Sequence, residues 1–349
     1  HAWLAAIRQF SGWRLQASVS AAGRSSGHLP TIARPWTGHR SVMVATMCDA
    51  MEPVLLYLVS DGKPGHLAQS RGLAEAIGRV TRAKSLVIEP ESKMVAPQPY
   101  KDAGLILAAG RDTHSHALRL RKYLGVPAVV LMNPGWLGRQ RFDLSIIPKH
   151  DGVKASSQII VTEGVLNPIT PSTDADPSAG LILVGGPSKH HDWDDASIER
   201  QFIAILDRSP TMRWTATGSR RTPAGTDALL AKLAETRGDR LVYTPASQTP
   251  EGWVAEQLAR CGVCWVSEDS VSMVYEALTS GAQVGLLDVP RKGSLGRVVR
   301  GVVSLVERGW VTPFEAWQGG ASLSNEHPPL AEADRVARLI VDRWGGRWA

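Results

Sequence analysis

The sequence predicts an α/β protein built from two Rossmann-like, doubly wound domains that face one another across a cleft. Three observations carry this. From Val54 onward, short apolar runs alternate with segments of helical periodicity, the pattern of parallel strands wound with helices. Near the middle, a stretch at 167–180 rich in proline and small polar residues interrupts the alternation, and a second round follows. A chain of 349 residues also exceeds one ordinary core and suits two.

In the first half, buried strands are expected at 54–59, 86–89, 104–108, 128–132 and 144–147, with helices at 67–80 and 112–124. Asp112 is placed to cap the second helix and Gly125 to stop it. In the second half, strands are expected at 181–184, 213–217, 241–244, 263–266 and 284–287. The helices fall near 194–207, 223–237, 253–260, 271–280 and 295–307, and a last one at 330–344 is placed to cross back to the first domain. These elements give a first domain over 53–168, a linker over 169–180, a second domain over 181–328 and a C-terminal helix within 329–349.

Residues 1–52 read differently. They are rich in Arg, Ser, Ala and Gly, lack periodicity and begin without methionine, so a disordered extension or a start placed too far upstream is expected, with Met43, Met47 and Met51 as alternative starts. Acid-poor composition also suits an organelle transit peptide, but no amphipathic stripe accompanies it, which makes targeting the lesser expectation.

Composition narrows the class. With 43% hydrophobic and 21% charged residues, and no run near the roughly 18 apolar residues of a membrane span, a soluble cytoplasmic chain is expected. Of the net charge of +6, half resides in 1–52, where five arginines face Asp49 and Glu52. The modest excess that remains argues against nucleic acid and leaves room for an anionic small substrate or peripheral contact with an anionic inner-membrane surface. Three cysteines, Cys48, Cys261 and Cys264, are too few for a disulfide framework. The Cys261-Gly-Val-Cys264 pair enters an apolar run, so strand packing is expected there rather than zinc or redox chemistry.

Ligands of open α/β sheets bind beyond the carboxyl ends of the strands, and the segments at those positions are polar and glycine-rich here. After the strand at 263–266, Asp269 or Ser270 is placed to cap a helix whose apolar stripe is Val271, Val274 and Leu278. Asp269, Ser272 and Glu276 share a neighbouring face. The free N–H groups and dipole at this helix start suit a diphosphate, and Glu276 is placed to accept from two hydroxyls of a ribose or sugar. Gly185 and Gly186 allow close backbone approach, with Ser188 as a phosphate donor. In Ser219-Arg-Arg-Thr222, Arg220 and Arg221 are forked donors for phosphates, or else solvent-exposed or bridged to the other domain.

In the first domain, Ser60-Asp-Gly-Lys-Pro-Gly-His66 joins a strand to a helix and matches neither a P-loop nor a dinucleotide fingerprint. His66, at the helix start, should be kept neutral by the dipole and able to serve as a general base, unless it only caps or packs. Asp61 and the His150-Asp151 pair are further bases on the same rim, where Gly62, Lys63, Gly65, Gln69 and Arg111 also fall. His114, His116, His190 and His191 lack a consistent carboxylate partner and read as surface histidines, so no metal site is expected.

Together, the motifs around Ser60–His66 with Gln69 and Gly72, Gly185–Ser188, Ser219–Pro223 and Asp269–Ala277 resemble the mitochondrial-fission (elongated mitochondria) family, whose bacterial members are usually described as glycosyltransferases. The resemblance spans about 53–345 and implies a GT-B fold. More distantly, the chain is similar to the transferase that adds N-acetylglucosamine to lipid I. That likeness implies that Gly65 and His66 face the acceptor and the reacting carbon, while Ser270 and Glu276 hold the donor diphosphate and ribose. Lys63-Pro64 departs from that transferase's loop, so the acceptor is expected to differ.

Glycosyl transfer is therefore the first expectation. The first domain is its acceptor side, with His66 and Asp61 as catalytic candidates and a saccharide or lipid-linked acceptor, possible on a cell-envelope glycan or lipid. The second domain holds a nucleotide diphosphate-sugar through Gly185, Gly186, Ser188, Ser219, Arg220, Arg221, Thr222, Asp269, Ser270, Ser272 and Glu276. No metal or cofactor is expected, because helix dipole and arginines can stabilise a departing diphosphate. Two alternatives stay open: a non-catalytic adaptor in organelle fission on the same fold, and a sugar-nucleotide epimerase.

Overall fold

The computed structural model describes residues 53–89, 103–293, 297–324, 327 and 330–348. The expected N-terminal extension lies outside them. The first half runs β1 (Val54–Val59), α1 (Pro64–Val80), β2 (Ala83–Ile88), β3 (Ala103–Ala109), α2 (His114–Leu124), β4 (Ala128–Leu131), α3 (Trp136–Arg139), β5 (Leu144–Pro148) and β6 (Ile159–Thr162). All six strands are parallel, in the order β2-β1-β3-β4-β5-β6. The order reverses between β1 and β3, which opens a crevice beyond their carboxyl ends.

The second half runs β7 (Asp176–Leu183), α4 (Asp195–Arg208), β8 (Arg213–Thr217), α5 (Ala224–Arg237), β9 (Leu241–Thr244), α6 (Trp253–Arg260), β10 (Cys261–Ser267), α7 (Val271–Ser280), β11 (Gln283–Leu287), α8 (Arg297–Glu307), β12 (Thr312–Pro313), α9 (Phe314–Gln318) and α10 (Glu332–Trp344). Its sheet is also parallel, in the order β12-β11-β10-β7-β8-β9, so the reversal falls between β7 and β10.

Four expectations are corrected. The segment 176–180, read as linker, is the first half of β7. Pro177 is tolerated there because the register shifts between Cys261 and Val263, where a side chain on Gly262 would come within 2.8 Å of the Pro177 Cα. Strand β6 was missed: it has four residues, lies at the sheet edge and is mostly half-buried, so its apolar run is short. Helix α1 starts at Pro64 rather than at 67, since proline suits the first helical turn and its ring replaces an N–H that would lack a partner. Asp112 does not cap α2; a short 3-10 turn over Arg111–Thr113 precedes that helix, and Thr113 Oγ1 donates to Gly110 O at 2.7 Å.

Each sheet is packed on both faces. Leu56 and Leu58 of β1 meet Leu73 and Ile77 of α1 together with Val336, Ile340 and Trp344 of α10, while Tyr57 and Val59 meet Ala117 and Leu120 of α2. The last helix thus packs against α1 and closes the first core. In the second half, Cys261 and Cys264 are free and buried in the core beneath α6 and α7, in keeping with packing cysteines, and burial pushes the Cys264 thiol up. No helix among the described residues is long and apolar enough to cross a membrane.

Candidate functional site

The loop at the first reversal is held by its own side chains. Gly62 takes φ 75°, its N–H donates to Ser60 Oγ at 3.0 Å, and Lys63 N donates to Asp61 Oδ1 at 3.2 Å. This tight turn sets Asp61 against the first turn of α1, where His66 Nδ1 lies 2.9 Å from Asp61 Oδ2. The Asp61 side chain is 3% exposed and that of His66 25%. Lys63 Nζ bonds Asp61 Oδ2 at 3.0 Å and Asp112 Oδ2 at 2.9 Å. Burial opposes the Asp61 charge, but hydrogen bonds from Lys63 and His66 outweigh it and hold the carboxyl below the usual range. The same two carboxylates push the Lys63 ammonium up.

Gly110 makes this packing possible. It sits at the end of β3 with φ 91°, and a Cβ there would lie 2.3 Å from His66 Nδ1 and 2.9 Å from Asp61 Oδ2. The carboxylate fixes Nδ1 and leaves Nε2 as the ring's remaining nitrogen, a histidine oriented as a general base requires. Gly110 and Asp112 join this cluster through the adjacency of β1 and β3, and neither was among the candidate site residues.

The other first-half candidates divide. Gly62, Lys63, Gly65 and Arg111 are exposed at the carboxyl edge. Gln69 is buried, and its Nε2 donates to Gly65 O at 3.4 Å and faces Met132 Sδ at 3.7 Å, so it braces α1 against the end of β4. His150 and Asp151 lie in a 3-10 turn after β5. His150 stands against α8, where a Cβ on Gly301 would lie 3.4 Å from its Nδ1.

At the second reversal, the loops after β7, β8 and β10 are tied together. Gly185 N donates to Ser267 Oγ at 2.6 Å and Gly186 N to Asp269 Oδ2 at 3.1 Å. Arg221 Nη2 donates to Asp269 Oδ2 at 2.7 Å and its Nη1 to Gly186 O at 2.7 Å. Ser219 Oγ donates to Gly185 O, and Thr222 Oγ1 lies against both Val184 O and Gly185 O. Both glycines are required: a Cβ on Gly185 would fall 2.2 Å from Asp269 Oδ2, and one on Gly186 2.0 Å from Arg221 O.

This arrangement corrects several expected roles. Asp269 does not cap α7, because its carboxylate, fully buried, is turned back to Gly186 and Arg221. Arg221 is thereby occupied as a strut within its own half rather than poised for phosphate. Arg220 is exposed. Ser188 Oγ accepts from His190 N and His191 N, both at 3.1 Å, which makes it a turn residue. His191, read as a surface histidine, is 3% exposed, and burial pushes it below its usual value although Glu268 and Asp269 stand near. His114 likewise packs edge-on against Phe142. Glu268 pairs with Arg291 at 2.5 Å, a contact the sequence did not suggest.

With Asp269 turned away, Ser270 is the N-cap of α7 and makes no side-chain capping bond. The N–H groups of the first turn thus open toward the crevice at the positive end of the helix. Ser272 is exposed there. Glu276, a turn and a half in, is half-buried and has no hydrogen-bond or ion-pair partner among the described residues. Burial raises its carboxyl to about 7.

The two clusters are built separately, and no hydrogen bond or ion pair among the described residues joins them. Contacts at the carboxyl edge of the first sheet nevertheless reach the second half. Arg71 of α1 pairs with Glu251 before α6 at 2.5 Å, and Gly164 lies against the ring of Tyr275 in α7. Between the halves is a cavity of about 870 Å³ walled by Ser60, Gly62 and Pro64 on one side and Glu251, Gly252 and Ala255 on the other.

Residues 64–344 match the model of the family described as Mitochondrial fission ELM1. The chain belongs to this family. A search of curated proteins finds no match. Among solved structures, a candidate UDP-N-acetylglucosamine 2-epimerase from Listeria monocytogenes is similar at 11% identity and TM-score 0.51, covering 84% of this chain and 98% of that one. The UDP-GlcNAc 2-epimerase of Methanocaldococcus jannaschii is similar at 10% identity and TM-score 0.50, covering 83% and 100%. Phytolacca americana UGT2, solved with UDP-2fluoro-glucose and pterostilbene, reaches 10% identity and TM-score 0.45, covering 85% and 91%. At such identities the likeness speaks to the fold, and the fold of this ELM1-family chain is GT-B.

Proposed function

We propose that this protein transfers a sugar from a nucleotide diphosphate-sugar to an acceptor hydroxyl. The observation that carries the reading is the pairing of two unlike sites at the two strand-order reversals. One is an Asp61-oriented His66; the other is the uncapped start of α7 with the unpartnered Glu276 behind it. The likeness in fold to UDP-GlcNAc 2-epimerases supports a nucleotide-sugar as the donor.

In this reading, the donor diphosphate lies on the first-turn N–H groups of α7 and a sugar or ribose diol donates to the ionised Glu276. His66 Nε2 takes the proton of the acceptor hydroxyl as its oxygen bonds to the sugar C1. The bond from C1 to the diphosphate breaks, and its electron pair leaves with the diphosphate, whose charge the helix dipole stabilises. Arg220, exposed at the rim, is the remaining candidate for a mobile phosphate contact.

A second reading, a fission adaptor on the same fold, draws on the family's description and on the commitment of Arg221 to Asp269. A thermal-shift panel of nucleoside diphosphates and nucleotide-sugars on the full chain separates the two. The transferase reading expects at least one nucleotide to raise Tm and Glu276→Ala to abolish the rise. It fails if no nucleotide does so, or if Glu276→Ala responds like the parent. Conversion of the donor to its epimer without any acceptor would instead identify an epimerase.

A further inference from the structure

Trp136 and Leu137 are consecutive on α3, the single helical turn beyond the carboxyl end of β4, and they expose 67% and 68% of their surface. Neither belongs to any of the hydrophobic cores. Scattered exposed apolar residues are ordinary, but an adjacent tryptophan and leucine, both two-thirds exposed on one turn, form a protruding apolar tip.

The side chains around this tip are cationic. Arg139 shares its helix and Arg141 follows two residues later. Arg111 lies in the loop after β3, the strand beside β4, and both it and Arg141 are exposed. None of the three arginines makes an ion pair among the described residues; the Arg139 side chain reaches only Gly135 O, at 3.4 Å. The nearby carboxylates are already taken, Asp143 by Arg121 at 2.6 Å and Asp112 by Lys63 at 2.9 Å.

We propose that α3 and the arginines around it form a docking surface for an anionic lipid bilayer. Tryptophan partitions to the boundary between headgroups and acyl chains, a neighbouring leucine adds buried apolar area, and uncompensated arginines are drawn to anionic headgroups. The three arginines leave the rim of the tip with uncompensated positive charge, which a surface of anionic headgroups complements. Since α3 lies at the same carboxyl edge as the Asp61 loop, docking would set that edge toward the bilayer. The inference does not depend on the transferase reading, because lipid binding is measured without donor or acceptor.

Co-sedimentation of the full chain with phosphatidylcholine vesicles, with and without phosphatidylserine, tests it. The parent should pellet with the serine-containing vesicles at low salt and be released as salt is added. The pair Trp136→Ser and Leu137→Ser should weaken binding about tenfold or more. Arg139→Gln and Arg141→Gln should each weaken it about fivefold. Trp136, Leu137 and Arg141 are exposed and Arg139 is half-buried with one long bond to a backbone carbonyl, so melting curves should match the parent. Failure of the parent to pellet, equal binding to neutral vesicles or undiminished binding by the Trp136 and Leu137 pair would each overturn the proposal. So would a parent dimer that the same pair converts to monomer in light scattering, since the tip would then be a contact between copies.

Discussion

Gly110 has no side chain, yet the geometry of the Asp61–His66 pair depends on it. Its φ of 91° is one that L side chains rarely adopt, and the space where a Cβ would go is filled by the imidazole and the carboxylate. Gly110→Ala should therefore push His66 off Asp61 as well as strain the backbone, at about 1–3 kcal/mol in stability. If His66 is the base, loss of that geometry should lower kcat about 10²-fold or more, approaching the loss in His66→Ala. The comparison is made in a transfer assay with the donor found by thermal shift. Full activity in Gly110→Ala would show that the Asp61–His66 geometry does not set the rate. Asp61 and His66 could be nominated from sequence because their residue types carry acid-base chemistry. Gly110 and Asp112 could not, because they matter only through a strand adjacency that their own segment does not encode.

Helix α7 is the element in which sequence and structure agree on position and differ on chemistry. Its bounds and apolar stripe were legible from periodicity, since Val274 and Leu278 are buried as that stripe requires. The role of Asp269 was not, because a residue before a helix reads as a cap unless a partner elsewhere claims it, and Arg221 does so from 48 residues away. The same limit hid the start of β7, where Pro177 and Asp176 read as loop until Gly262 of β10 supplies the register shift that admits them. Glu276 gives α7 a measurable signature. Its carboxyl, ordinarily near 4.5, stands at about 7, so over that interval the folded protein keeps a proton that the unfolded chain has released. The stability this contributes is complete below about pH 4.5 and is lost as pH rises through about 7. Glu276→Gln cannot lose it. The variant should gain on the parent between about pH 5 and about pH 8 by up to roughly 3 kcal/mol, read from urea midpoints. An offset between the two proteins that stays the same at both pH values would mean that Glu276 is not desolvated as described. A donor whose hydroxyls bind the ionised carboxylate should reverse part of this penalty, so nucleotide binding should strengthen over the same rise in pH.

At the scale of the molecule, the last helix packs on the half of the chain that comes first. Helix α10 lies after both sheets, but Val336, Ile340 and Trp344 complete the core beneath β1 and α1. Polar contacts reinforce the return: Arg79 of α1 bonds Asp334 at 2.7 Å, Arg335 donates to Val161 O, and Glu332 accepts from Glu163 N. Glu163 also binds Lys149 at 3.0 Å and Arg308, the residue after α8, at 2.7 Å, so one carboxylate joins the edge of the first sheet to the second half close to where α10 docks. Exposed ion pairs of this kind contribute little individually, whereas the three apolar side chains are buried, so the coupling should reside mainly in the packing. Ile340→Ala should cost about 2–5 kcal/mol. The loss should appear first as faster hydrogen exchange in β1 and β3, with β7 and β8 affected less, because the cavity opens into the first core and not the second. Equal loss of protection in both sheets would show that the halves unfold as one unit. Protection unchanged in β1 would remove α10 from the set of elements that hold the candidate base in place.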